Sequence, residues 1–253
     1  MTIKSEMLRN LPMFSGLTKK ENELLFANSR LKVCERGEFL FLHGDTITNF
    51  YVVCQGIVQI FRETPNGHEV TSDLLIAGDS LNAEEIVTMQ TKHNKNARAV
   101  DDVVLLQIPT SWMQDNLSNY EHMAEHLMAS LSKRLHSAQM EAEHQSTMSA
   151  TQIVACYLQR LCVLYSFDSH GFELPYSKTL IASRLRIELE TFSRTLKALK
   201  CVGIEVNGMH VAFIDVEKAG CFVCNKCSLS EDCPAHLLLH KNITEFSRAS
   251  RIN

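Results

Sequence analysis

The sequence has no hydrophobic run approaching the roughly 20 residues that a helix needs to cross a bilayer. Its first residues, MTIKSEMLRNLPMF, also lack the long apolar stretch and the small-residue cleavage site of a secretion signal. We therefore expect a cytoplasmic protein. Because thiols stay reduced in the cytosol, clustered cysteines there indicate metal binding before disulfides.

Catalytic motifs are also missing. The chain contains no phosphate-cradling glycine loop, no nucleophile elbow and no His-Glu metal motif, so we predict that it is not an enzyme. Its composition is ordinary for a globular protein, with 45% hydrophobic residues, 21% charged residues and a formal charge of -4. A chain of 253 residues can form one large domain or two modest ones.

The sequence of residues 30–110 is typical of β-structure, and we predict a β-roll domain over 1–115. Short β-rich runs alternate with turn signals, and the strand-like run FYVVCQGIVQIF (50–61) is followed by Asn66-Gly67. Asn-Gly between strand-like runs is the strongest short-range hairpin signal. The run VVLLQIP (103–109) is typical of a buried last strand that ends at proline.

The chain then becomes helical, and we predict a long dimerisation helix within 116–148. Apolar side chains recur there at three- and four-residue spacing, namely Leu127, Leu131, Leu135, Ala138 and Ala142. A narrow apolar stripe of this kind favours a partner helix in a second copy of the chain. Packing of the same stripe against the chain's own β-roll is the alternative.

Residues 149–216 have the outline of a winged helix-turn-helix. Ser177 is a good N-cap for a first helix that reaches about Arg184, and a second helix is expected from about Glu188 to Lys200. Two strands around Asn207-Gly208 would form the wing. Residues 176–200 carry six basic and two acidic side chains, a local charge of +4 in an acidic chain, which is the electrostatic pattern of DNA binding. A solvated amphipathic helix pair is the alternative.

This order of β-roll, long helix and winged helix-turn-helix resembles the Crp/Fnr superfamily of bacterial transcription regulators, an α+β fold. The second helix carries Glu190-Thr191-Phe192-Ser193-Arg194, similar to the Glu-x-x-Ser-Arg recognition motif of the Fnr branch. The resemblance implies a homodimer on a palindromic site with TTGAT half-sites, and RNA polymerase as a partner. It also implies a set of DNA-contacting residues: Glu190, Ser193 and Arg194 on base edges, with Lys178, Thr191 and Lys197 beside them.

Two positions depart from the family's pattern. Arg186 stands where the turn between the helices usually has glycine, so the turn must adopt another geometry or be strained. Glu188 replaces the capping serine or threonine of the second helix. Its charge suits the helix dipole but lies close to the expected DNA phosphates.

The β-roll is not expected to bind a cyclic nucleotide. Cyclic-nucleotide binders of this superfamily resemble one another in a phosphate cassette with a Gly-Glu pair and a following Arg-Ser/Thr-Ala, because a buried phosphodiester needs a charge partner. Here Asn82-Ala83-Glu84 stands where the glycine-containing segment should lie, and Arg98 comes too late in the sequence.

Residues 217–253 form a C-terminal extension that holds four cysteines, Cys221, Cys224, Cys227 and Cys233, the last followed by Pro234. The spacing resembles the ferredoxin run C-x2-C-x2-C-x3-C-P and favours an iron–sulfur cluster, of the [4Fe-4S] type, as the cofactor. Structural zinc and metal-free thiol chemistry are the alternatives. Cys233 is the least secure ligand, and Asp232 or His236 could replace it. The other five cysteines lie scattered in apolar runs and are expected to be buried.

Two functions follow as hypotheses. In the first, the chain is a Crp/Fnr-type regulator whose DNA binding is gated by the cluster, which senses oxygen, nitric oxide or redox state. A branch of the Fnr-like regulators is similar in carrying its cluster cysteines at the C-terminus. In the second, the chain is a Crp-like regulator that responds to a small molecule, and the cysteines hold a structural zinc ion.

Overall fold

The computed structural model describes residues 11–228, except 15 and 165–170, and also residue 233. The chain divides into two compact units whose boundary lies between His136 and Ser137. Among the described residues, no helix combines the length and the apolar character needed to cross a bilayer.

The first unit is built on two antiparallel four-stranded sheets. One has the strand order β1-β8-β3-β6 and the other β2-β7-β4-β5, which confirms the predicted β-roll. The strands are β1 Arg30–Cys34, β2 Phe39–Phe41, β3 Asn49–Gln55, β4 Val58–Glu63, β5 Glu69–Leu75, β6 Ser80–Leu81, β7 Asn96–Ala99 and β8 Val103–Pro109. The Asn66-Gly67 signal lies between β4 and β5, where Gly67 adopts the positive φ of 76° that such a turn requires.

The packing of strand β3 explains why its sequence is continuously apolar. Phe50 and Val52 belong to a core shared with the helices of this unit, whereas Tyr51 and Val53 belong to the core between the two sheets. Because successive side chains of a strand point to opposite faces, both faces of this sheet are covered. A strand that is buried on both faces has no polar face to alternate with.

Four helices accompany the sheets, and the last of them continues into the second unit. They are α1 Lys19–Ala27, α2 Ala83–Val87, α3 Thr110–Asn116 and α4 Glu121–Thr147. Helix α1 begins with a capping box between Thr18 and Glu21. The helical region after residue 110 is interrupted at Tyr120, which separates a 3₁₀ turn from α4.

The apolar stripe of α4 is divided between two faces. Leu127 is buried in the β-roll core, and Leu131 packs against the same core. Met128 and Leu135 are instead 63% and 61% exposed. Leu127 and Leu131 thus pack on the chain's own β-roll, as the alternative interpretation predicts. The seam with a second copy of the chain stays a prediction, for which Leu135 and Met128, seven residues apart, offer an exposed apolar face.

The second unit contains the end of α4 and the predicted winged helix-turn-helix. Its further elements are α5 Ala150–Leu164, β9 Phe172–Glu173, α6 Lys178–Arg184, α7 Leu189–Ala198, a 3₁₀ turn Leu199–Val202, β10 Ile204–Asn207, β11 His210–Phe213 and α8 Val216–Cys224. The wing is an antiparallel sheet of order β10-β11-β9. The fold-class prediction is confirmed, and α5 is an element that the sequence pattern did not reveal.

Helix α8 shows that the first two cysteines of the C-terminal extension lie in a packed helix. Asp215 caps this helix by accepting a hydrogen bond from the Lys218 backbone N–H at 2.9 Å. Ala219 and Val223, four residues apart, are buried. Cys221 and Cys224 therefore lie on the last turns of a packed helix, and the chain leaves that helix before Cys227.

Candidate DNA-reading helix and cysteine segment

Helices α6 and α7 pack through small and apolar side chains. The Ser177 hydroxyl accepts a hydrogen bond from the Leu180 backbone N–H at 3.2 Å, as expected of an N-cap. Ala182 is 2% exposed, and its small side chain permits the close approach of the two helices. Phe192 and Leu196 of α7 are buried on the inner face. This packing determines which face of α7 points towards α6, and therefore which face points outward.

The outward face of α7 carries the predicted base-reading residues. Glu190, Ser193, Arg194 and Lys197 are all exposed, and their spacing of three, four and seven residues places them on one side of the helix. The Arg194 guanidinium donates to the Thr191 hydroxyl at 3.2 Å. This surface presents acceptor and donor groups of the kind that read base edges in a major groove.

The remaining predicted contact, Lys178, lies at the start of α6 and is half-buried. It is therefore on a different helix from the outward face of α7. Its place at the first turn of α6 suits a contact with the DNA backbone better than a contact with a base.

The turn between α6 and α7 shows the strain that the sequence suggested. Arg186 adopts φ = 57°, the left-handed conformation that glycine adopts without cost. Glu188 is the N-cap of α7, but its side chain makes no capping hydrogen bond. Helix α7 thus begins without the side-chain cap that serine or threonine would provide.

The end of α4 holds the helix-turn-helix by side-chain contacts. The Arg184 guanidinium donates to both carboxylate oxygens of Glu141, at 2.8 Å and 2.5 Å. Arg184 is largely buried, with 13% of its side chain exposed. One turn further along α4, the Gln145 side-chain amide donates to the Leu185 carbonyl at 3.1 Å. These bonds reach the last turn of α6 and the residue after it.

The same stretch of α4 also holds the cysteine segment, by which we mean residues 221–228 together with Cys233. Glu143 accepts hydrogen bonds from the Ser228 backbone N–H at 2.9 Å and from its hydroxyl at 2.7 Å. These bonds lower the pKa of the Glu143 carboxyl below its usual range. Next to it, the His144 Nε2 lies 3.3 Å from the Cys227 Sγ.

Helix α5 provides a further contact with the cysteine segment, in addition to those of Glu143 and His144. The side-chain amide of Gln152 donates to the Phe222 carbonyl at 3.1 Å. The cysteine segment is therefore tied down near the junction of α4 and α5, although 70 residues or more separate it from these partners in the sequence.

The cysteine thiols of this region lie close enough to influence one another. Burial, followed by the charges of Cys233, Cys227 and Cys221, raises the pKa of the Cys224 thiol to about 11. Burial also raises the pKa of Cys156 on α5 to about 12, and the charges of three segment cysteines add to this effect. Without a cation, these two thiols stay protonated at neutral pH.

The donor set fits a metal centre by its chemistry. Thiolates crowded together repel one another, and a bound cation would relieve that repulsion and favour their deprotonated form. Within the described part of the chain, however, no three His, Cys, Asp or Glu side chains converge as a ready-made metal site. Asp232 and His236, the substitutes considered for Cys233, lie outside the described residues. The ligand set Cys221, Cys224, Cys227 and Cys233 stays a prediction.

The nine cysteines, all within the described residues, form no disulfide. Of the five outside the cysteine segment, Cys34, Cys156 and Cys162 are buried as expected, and Cys54 is half-buried. The expectation was wrong for Cys201, which is exposed on the 3₁₀ turn after α7. Its neighbours Leu199 and Val202 carry the apolar character of that run, and the turn directs the thiol outward.

In the β-roll, Arg98 on β7 is engaged by neighbouring side chains. It donates to both carboxylate oxygens of Glu69, at 2.9 Å and 2.5 Å, and to Gln59 at 2.8 Å. Its guanidinium also lies over the rings of Phe39 and Phe61. A phosphate would have to compete with Glu69 for this arginine. The absence of cyclic-nucleotide binding stays a prediction.

Comparison with known proteins agrees with this architecture. The family described as "Cyclic nucleotide-binding domain" matches residues 31–120. The anaerobic regulatory protein of Haemophilus influenzae is 24% identical over 191 residues, which is 74% of each chain. The cyclic AMP receptor protein of Thermus thermophilus is 28% identical over 200 residues, 78% of this chain and 89% of the relative. The structure of FixK2 from Bradyrhizobium japonicum matches with a TM-score of 0.68 at 19% identity, over 77% of this chain and 97% of that one, a likeness of fold.

A β-roll, a long helix and a winged helix-turn-helix in this order, together with relatives that are regulators and not enzymes, define a transcription regulator. In this order of elements and in these relatives, the chain is similar to the Crp/Fnr superfamily of regulators. Regulators of this kind bind DNA and act as dimers. The prediction that the chain is not an enzyme is confirmed.

Proposed function

We propose that this chain is an Fnr-branch regulator whose DNA binding is controlled by an iron–sulfur cluster on its C-terminal cysteines. It would bind, as a homodimer, a palindromic site with TTGAT half-sites. Glu190, Ser193 and Arg194 would contact bases, with Lys178, Thr191 and Lys197 beside them. RNA polymerase is the expected further partner, and the cytoplasm the expected location.

The observation that carries this proposal is the double role of α4 residues 141–147. Glu141 and Gln145 bond to the helix-turn-helix at Arg184 and Leu185, while Glu143 and His144 contact the cysteine segment. One short stretch of helix thus touches both the element expected to read DNA and the residues expected to hold a metal. A change in the cysteine segment has a direct physical route to α6.

The cysteine chemistry supplies the signal in this proposal. Cys221, Cys224, Cys227 and Cys233 would hold the cluster, and a bound iron–sulfur cluster provides a group that reacts with oxygen, nitric oxide and changes in redox state. The protein's part is to hold the segment against α4 in one of two states. A ligand shifts such an equilibrium only by its difference in affinity for the two states, so the cluster must bind one state more tightly than the other. The likeness to the Fnr branch favours the cluster-loaded form as the one that binds DNA.

A second function has two of the comparisons in its favour. The match to the cyclic nucleotide-binding family and the 28% identity to a cyclic AMP receptor protein suggest a regulator that answers a small molecule in the β-roll. The cysteines would then hold a structural zinc ion. Anaerobic purification followed by iron, sulfide and zinc analysis separates the two proposals, because only the first requires iron with acid-labile sulfide.

The test of gating is anaerobic DNA binding before and after exposure to air. We expect the cluster-loaded wild type to bind an inverted repeat of TTGAT tightly and to lose that binding in air. Cys224→Ser removes one predicted ligand, and it should bind weakly under both conditions. Cys201→Ser is the matched control, because this exposed cysteine lies outside the segment.

The outcome that contradicts gating is equal affinity in all four measurements on wild type and Cys224→Ser. A protein that contains iron and sulfide but binds DNA equally well with and without them would have a structural cluster only. Binding to scrambled DNA of the same length, measured in parallel, shows whether any change concerns the specific complex.

A further inference from the structure

His144 is buried and contacts a predicted metal ligand. Its side chain is 5% exposed, and its Nε2 lies 3.3 Å from the Cys227 Sγ, within the range of an N–H···S hydrogen bond. His144 does not belong to the cysteine pattern whose spacing suggests a metal centre. Its sequence separation from Cys227 is 83 residues, so the contact exists only because the cysteine segment packs on α4.

The chemistry of the two groups determines the direction of this bond in a metal-loaded protein. A cysteine that binds a metal does so as the thiolate, which has no proton to donate. The sulfur can therefore only accept, and the imidazole must donate from Nε2. A loaded centre thus requires the histidine tautomer whose proton is on the nitrogen nearest to Cys227.

We propose that His144 donates a hydrogen bond from Nε2 to the Cys227 sulfur and so acts as a positioning residue of the metal centre. This inference rests on the metal centre proposed above. A donor to a ligating thiolate stabilises its negative charge, orients the ligand and raises the reduction potential of a cluster bound through it. Because His144 lies on α4 beside Glu143, the bond also joins the metal ligand to the helix stretch that holds the helix-turn-helix.

Substitution at His144 separates hydrogen bonding from packing. His144→Leu fills similar space without a donor, whereas His144→Gln keeps an N–H donor at the end of a side chain of comparable reach. His144→Met is a second donor-free variant, for the case that leucine prevents folding. His136→Leu is the matched control, since this exposed histidine lies on the same helix two turns earlier.

The first measurement is competition titration of Zn²⁺ into the reduced, metal-free protein under anaerobic conditions. We expect His144→Leu to bind Zn²⁺ about tenfold or more weakly than wild type, as is typical for loss of a group that supports a metal ligand. His144→Gln should recover most of that affinity, and His136→Leu should match wild type. The second measurement is the reduction potential of the iron-loaded protein, which should fall in His144→Leu and return towards the wild-type value in His144→Gln.

Equal zinc affinity in His144→Leu and wild type would overturn the inference. Loss of affinity that His144→Gln does not recover would overturn the donor role in favour of direct ligation or packing. If wild type binds Zn²⁺ but reconstitution gives no iron and sulfide, the iron–sulfur proposal fails, and the zinc titration still decides the role of His144. If wild type binds neither metal, both proposals fail.

Discussion

At the scale of single residues, Arg194 is the side chain best placed to discriminate between bases. It is exposed on the outward face of α7, and its guanidinium is held near Thr191 by a hydrogen bond of 3.2 Å. An arginine donates two hydrogen bonds to the edge of guanine, a contact that no other base reproduces. Lys197, on the same face, offers only a point charge, which suits a phosphate.

We therefore predict that Arg194→Ala lowers the affinity for the specific site by about 1–3 kcal/mol and relaxes selectivity at one guanine. Lys197→Ala should weaken binding to specific and random DNA alike. Competition binding on a set of singly substituted sites, at a fixed salt concentration, measures both effects. An equal loss on specific and random DNA for Arg194→Ala would show that this arginine contacts only the backbone.

The conformation of Arg186 leads to a second residue-scale prediction, about stability. At φ = 57° a side chain is strained, and glycine avoids that strain. Arg186→Gly should raise the free energy of unfolding by about 1 kcal/mol, measured by urea denaturation. Arg186→Ala is the control, because alanine removes the charge but keeps the Cβ that causes the strain. Equal stabilisation by alanine and glycine would attribute the effect to charge.

At the scale of elements, α4 has apolar side chains that pack on the β-roll and others that are exposed. Leu131 packs against the β-roll core, so a charge there would damage the fold of the protomer as well as any dimer. Leu135 is 61% exposed and is the better position at which to test the dimer. Met128, seven residues earlier, is exposed on the same face, as a coiled-coil seam requires.

We predict that Leu135→Glu weakens the homodimer while the β-roll keeps its thermal stability. The reason is that two like charges would meet across a two-fold seam, whereas within one protomer the side chain is already in water. Analytical ultracentrifugation over a range of concentrations measures the dimer, and circular dichroism on heating measures the fold. A dimer of unchanged affinity would place the seam elsewhere.

The elements also show which parts of the fold could be predicted from local sequence. Asn66-Gly67 and Ser177 act through their immediate neighbours, so the hairpin and the start of α6 were predictable. Helix α8 was not predicted, because Gly220 lies inside it and glycine disfavours the interior of a helix. The Asp215 cap and the pair Ala219 and Val223 were the available signals.

At the scale of the whole molecule, the winged domain and the Crp/Fnr resemblance followed from the order of elements. The environment of the cysteines did not follow from that order. Contacts of Cys227 with His144 and of Ser228 with Glu143 join residues more than 80 positions apart, and nothing in the local pattern of α4 marks those two side chains as partners. The split of the α4 stripe between two faces likewise depends on tertiary packing, which periodicity does not contain.

The two sets of contacts on α4 also limit the insertion of residues into this helix. Glu141 and Gln145, four residues apart, share one side of the helix, whereas Glu143, two residues after Glu141, lies on a different side. Each residue added to a helix turns everything beyond it by about 100°. A single-residue insertion after Glu141 would therefore turn the partners of the cysteine segment away from it while Glu141 kept its hold on Arg184. The number of residues between the two sets of contacts is therefore fixed by geometry, whatever side chains the exposed positions carry.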